Sequence, residues 1–147
     1  PSLTTLSATA LDVGREVPPA IGAEQELRSA LLEAFGLGPS GAVPSAPGYS
    51  EERFRQRIRL VMADRSLQRA YWDSHVSRRR EPVIDALRAG IARGELRSDL
   101  DPDACFDALA GAAYYQVVVR GEAVTSEAPR ERLHSAIEVV WRGMLSE

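Results

Sequence analysis

Apolar residues along the chain recur at three- and four-residue spacings, and no stretch alternates apolar with polar between turn residues. This pattern predicts an all-α domain of about six helices. Leu3, Leu6, Ala10, Val13 and Val17 fall near one stripe of a first helix over residues 2–17, which the Pro18-Pro19 pair ends. A second helix, from about Glu24 to Phe35, turns Leu27, Leu31, Ala34 and Phe35 inward, and Gly36 is placed to stop it. In a third, Ser50 is the N-cap, Glu51 and Glu52 suit the positive helix end, and Phe54, Ile58, Val61 and Met62 make the inward stripe.

Asp64 is the expected cap of the next helix, which continues to Arg93 with an expected kink near Arg78. Pro82 causes the kink, through its missing N–H and its ring, and Gly94 closes the helix. Asp101 as N-cap and Pro102 at the first helical position open a helix that runs through Val119. A last helix spans Ala128 to Leu145, with Leu133, Ile137, Val140, Trp141 and Met144 on one face. Residues 36–50, rich in glycine, proline and serine, read as a long mobile loop, either a lid or a tolerated insertion.

The helix ending at Val119 is unusual. From Ala104 onward only Asp107 and Gln116 are strongly polar, and nine positions apart they lie on opposite sides. Such a helix must be covered all round. Its sixteen residues rise only about 24 Å and are rich in alanine and glycine, which rules out a bilayer span. A fully central helix would satisfy the pattern. So would a helix with core on one side and a partner on the other, which the small residues Ala108, Ala110, Gly111, Ala112 and Ala113 favour by permitting close approach.

Composition narrows the function classes. At 147 residues the chain is read as one domain, 1–147, with a formal net charge of −3 that gives no bulk pull toward nucleic acid. The single cysteine, Cys105, cannot form an internal disulfide and is expected to be a small buried hydrophobe. No signal-peptide order and no membrane-length apolar run is present, so a cytoplasmic location is expected. His75 and His134 stand far apart, no metal-ligand spacing occurs, and no nucleophile context surrounds either histidine. The expectation is no enzyme, no catalytic residue, no metal and no cofactor. Arg78-Arg79-Arg80 is expected to be a solvated face or an ion-pair partner rather than a phosphate site.

The stretch RGELRSDLDPDACFDALAGAAYYQVVVRGE, preceded by RRREPVIDALRAGIA, closely resembles the C-terminal regulatory domain of TetR-family transcriptional repressors. The resemblance covers about Tyr71 to Met144. It implies that the last two helices form a four-helix bundle with those of a second subunit, a homodimer, with Ala110, Ala113, Tyr114, Val117, Ile137 and Trp141 at the interface. It also implies a three-helix DNA-binding unit upstream, which no segment of this chain could be. Residues 2–17 look like the connecting helix, and operator DNA would be bound only through that unit. The implied cavity is walled by the middle helices. Tyr71 and His75 share a helix face with Trp72 beside them, a group that is either core with satisfied polar tips or part of a pocket. Phe35, Phe54, Ile58, Met62 and Leu109 are the expected apolar wall for a small apolar or aromatic effector. The alternative is a helical protein–protein interaction module without a small ligand.

Overall fold

Seven α-helical segments make up the computed structural model, which describes residues 2–39, 50–123 and 125–147. They are α1 (Leu3–Leu11), α2 (Leu27–Ala34), α3 (Glu51–Ala63), α4 (Arg65–Tyr71), α5 (Ser77–Ala92), α6 (Pro102–Tyr114) and α7 (Glu127–Met144). A π-helical turn at Trp72–Val76 joins α4 to α5 without a break, which makes six continuous rods. A second π turn, Tyr115–Val119, extends α6. Among the described residues there is no strand, only an isolated antiparallel bridge between Leu96 and Leu145. No helix among the described residues is long and apolar enough to cross a membrane. The loop expected at 36–50 falls largely on residues 40–49, outside the described residues.

Local chemistry sets the helix ends where the sequence indicates. Ser50 accepts from the Arg53 N–H, Asp64 from those of Ser66 and Leu67, and Asp101 from that of Asp103. Gly36 and Gly94 each have φ of +78°, and each is followed by an N–H reaching back to an earlier carbonyl: Leu37 to Leu32 and Glu95 to Gly90.

The chain divides into two compact units, Pro1–Pro18 with Ser45–Glu81, and Pro19–Pro44 with Pro82–Glu147. In the first, α1 packs on α4, and the core is Ala8, Val61 and Tyr71 with Leu11, Leu67, Ala70 and Val76 around them. Two expectations fail here. The first helix ends at Leu11 rather than Val17, because Asp12 to Gly14 turn the chain, Gly14 at φ +84°. Its apolar stripe also faces outward: Leu3 is 80% exposed, and Leu6, Val13 and Val17 are exposed too. The packed face is instead that of Ala8, a side chain small enough for close approach to α4. The helical irregularity falls at Trp72–Val76, while Pro82 sits within α5.

In the second unit, Leu27 and Leu31 of α2, Leu87 of α5, Leu109 of α6, and Leu133 and Ile137 of α7 form the centre of the core. Gly90 is bare for a reason: a Cβ there would stand 2.8 Å from Leu27 and 3.1 Å from Leu96. Polar side chains link the same elements. Arg28 pairs with Glu138, Arg130 donates to the Gly36 carbonyl at 2.8 Å, and Arg132 pairs with Glu122. Gln116, buried in the second π turn, is satisfied by Arg132 Nε at 3.0 Å. Cys105 is buried, as expected, and burial pushes its thiol pKa up.

Candidate functional site

The polar centre of the first unit is built around Tyr71, whose side chain is inside while its hydroxyl needs partners. It has three. The hydroxyl donates to Asp12 Oδ1 at 3.0 Å, and accepts from Arg79 at 2.8 Å and from Arg57 at 3.2 Å. Arg79 also pairs directly with the Asp12 carboxylate. Both guanidinium groups lie 5.5 Å from the Tyr71 ring centroid, so the ring is held by cation–π contact as well as by hydrogen bonds. Burial drives the Tyr71 pKa up, and the two arginines oppose it.

The π turn places these groups. Tyr71, His75 and Arg79 are four residues apart, and in a regular α-helix each such step drifts about 40° round the axis. A wide i→i+5 turn between the first two takes up part of that drift. The result is that all three reach the C-terminal end of α1. The His75 ring stacks on Tyr71 at 5.6 Å between centroids, and its Nε2 lies 3.8 Å from Asp12 Oδ2.

Ser74, His75 and Asp12 have the composition of a hydrolase triad but not its chemistry. Ser74 Oγ spends its only proton on the Ala70 carbonyl at 2.6 Å, so the His75 Nδ1 beside it, also at 2.6 Å, is the donor. A serine already donating elsewhere is not activated by the imidazole. The cluster is a structural joint between α1 and the long helix.

The eight residues expected at an effector pocket divide between the two units. Phe54, Ile58, Met62, Tyr71, Trp72 and His75 belong to the first, Phe35 and Leu109 to the second. Within the first, the structure groups Tyr71 with His75 and sets Phe54 against Arg57, 5.0 Å away, while Ile58 is half-buried. Met62 is 71% exposed and Trp72 43%, so neither is a wall of an interior. In the second, Phe35 packs on Phe106 at 5.9 Å, and Leu109 lies wholly within the core. Of the six residues expected at a dimer interface, Tyr114 is exposed and Ala110 and Ala113 are half-buried. Val117, Ile137 and Trp141 face inward and fill their own chain's core.

Asp12 and Arg57 were not singled out by the sequence, and Arg79 was only as one of a basic run. The four-residue repeat of Tyr71, His75 and Arg79 was a usable signal, and the ion-pair reading of Arg78-Arg79-Arg80 holds at Arg79. Asp12 carried none, because a partner 59 residues away leaves no local spacing. Among the described residues no group of three or more His, Cys, Asp or Glu could hold a metal ion.

A family model described as "Tetracyclin repressor-like, C-terminal domain" matches residues 49–136, more than half of the chain. No curated protein and no solved structure matched.

Proposed function

The chain belongs to the tetracyclin-repressor-like C-terminal domain family, and from that premise we propose that it is the effector-sensing and dimerisation part of a cytoplasmic transcriptional repressor. One observation carries this reading. The helix from Pro102 to Val119 turns Cys105, Leu109 and Val117 into its own core but leaves Gly111, Tyr114, Tyr115, Val118 and Val119 outside, with Val139 of α7 also exposed. Two tyrosines and three valines are left exposed on these helices, apolar area that association would cover at about 25 cal/mol per Å². The exposed backbone at Gly111, where an added Cβ would meet nothing within 4 Å, allows a partner helix close approach. The partner is a second copy of the same surface, with Tyr114, Ala110 and Ala113 at or beside the contact.

The effector is a small, mainly apolar or aromatic molecule contacting Phe54, Ile58, Tyr71 and His75 of the first unit. An effector that prefers one arrangement of these helices shifts the population toward it. The Asp12 joint would carry the shift into α1, and so to a helix-turn-helix upstream, through which alone operator DNA is bound. Light scattering at micromolar concentration tests the reading. The expected mass is that of two chains, and a well-folded monomer would overturn it. Capture of a different chain by the Tyr115 surface, with no self-association, would favour the interaction module instead.

A further inference from the structure

The two units carry opposite charge. Pro1–Pro18 with Ser45–Glu81 holds ten arginines against seven carboxylates, a net of +3, while the rest of the chain holds eight against fourteen, a net of −6. Two open concavities on the basic unit differ in how that charge is arranged. The one lined by Glu51, Glu52, Arg55, Gln56 and Arg59 is internally balanced, with two acids against two arginines and both acids one helical turn before Arg55. The other, of about 390 Å³, is lined by Arg65, Gln68, Arg69 and Trp72, and no carboxylate lines it. Asp64, next to Arg65, is committed to capping the backbone N–H groups of Ser66 and Leu67.

Arg65 and Arg69, four apart on one helix face, repel each other, and the concavity offers nothing that neutralises them. Beside them stands the half-exposed indole of Trp72. Its ring is not loose: the guanidinium of the buried Arg80 lies 4.8 Å from its centroid and supports one side. A fixed aromatic plate next to two cations matches a ligand with a flat apolar body and a carboxylate. We propose that Arg65, Gln68, Arg69 and Trp72 form a binding site for a small aromatic carboxylate, separate from the Tyr71 and His75 group to which the effector is assigned. The ring stacks on Trp72, one or both arginines take the carboxylate, and the Gln68 amide, now 3.8 Å from Met62 Sδ, is within the same concavity to donate to it.

Benzoate, benzamide and acetate separate the two contributions, and intrinsic fluorescence reads them, because Trp72 is exposed and Trp141 is buried. The whole 147-residue chain is used. Benzoate should quench the emission saturably, with an affinity that weakens as salt rises. Benzamide, which keeps the ring without the charge, and acetate, which keeps the charge without the ring, should each bind at least tenfold more weakly. Arg65→Gln/Arg69→Gln should lose the benzoate response by tenfold or more while its thermal melt stays unchanged. Trp72→Leu, followed by calorimetry, should lose binding to the same degree. Equal affinity for benzoate and benzamide, or a double variant that binds benzoate as the parent does, would overturn the proposal. So would duplex DNA that binds the parent through these two arginines while benzoate does not, since the site would then be one for backbone phosphates.

Discussion

Tyr71 donates a hydrogen bond to Asp12 across 59 residues of sequence, and it is the link that ties the end of α1 to the long helix. Because the same hydroxyl accepts from Arg57 and Arg79, removing it unsettles three charged groups at once. Tyr71→Phe should cost about 1–3 kcal/mol of stability, the usual penalty for buried groups deprived of a partner. Urea unfolding measures it. Combined with Asp12→Asn, the loss should fall short of the sum of the two by at least about 0.5 kcal/mol, as for residues sharing one network. Strict additivity would mean that the two side chains do not act together.

The alkaline limb of stability follows from the two groups that burial pushes upward. The Cys105 thiol lies above its ordinary 9.0 and the Tyr71 phenol above its ordinary 10.0. Below those values both are protonated in the folded and unfolded chain alike. As pH rises past them the unfolded chain ionises first and binds fewer protons, so stability falls until the raised folded values are passed. Urea midpoints should therefore drop between pH 8.5 and pH 10.5. The drop should be smaller in Cys105→Ala and smaller again when Tyr71→Phe is added; an identical slope in all three would refute the assignment.

Val118 discriminates a covered face from an open one. It is exposed on the single chain, so Val118→Asp should change a monomer's stability by no more than about 0.5 kcal/mol. In a two-fold pair the substitution acts twice and buries two like charges, at a cost of several kcal/mol. The expected outcome is a folded monomer in light scattering, or loss of the cooperative melt if the subunit does not stand alone.

Gly94 isolates backbone strain. A Cβ there would meet nothing within 4 Å, yet φ is +78°. Gly94→Ala should therefore destabilise by about 1–2 kcal/mol from the left-handed conformation alone. Gly111→Ala, in a helix with equally open surroundings, should leave the single chain as stable or slightly more so. A lower melting temperature for Gly94→Ala only, by thermal scan, is the result to look for.

What could be read from the sequence was what is decided within a few residues. Ser50, Asp64, Asp101, Gly36 and Gly94 end their helices where expected, because a cap is a bond between near neighbours. Periodicity also placed Leu133, Ile137 and Trp141 on one face of α7; it was the family resemblance that set Ile137 and Trp141 at a partner, and within the single chain both are already buried. An apolar stripe says that a face is to be buried, not by what. The same ambiguity reversed α1, where Leu3 and Leu6 lie outward and Ala8 makes the contact. At the site, Tyr71 and His75 were legible as a pair on one helix, whereas Asp12 enters only through the fold.

The wide turn at Trp72–Val76 makes this helix sensitive to the counting of residues. A π turn holds one residue more than the α-helical ladder needs, so a single deletion within 72–76 could heal into unbroken α-helix with every backbone bond made. Nothing in helix propensity would resist it. The seven α-helical steps left between Tyr71 and Arg79 would turn through about 700°, within about 20° of two full turns, so Arg79 would stay on the Tyr71 face, toward Asp12. The harmful change is the opposite one: closing the turn into regular α-helix with every residue kept would carry Arg79 about 100° round the axis, leaving a helix intact in composition and bonding but with its joint to α1 out of phase.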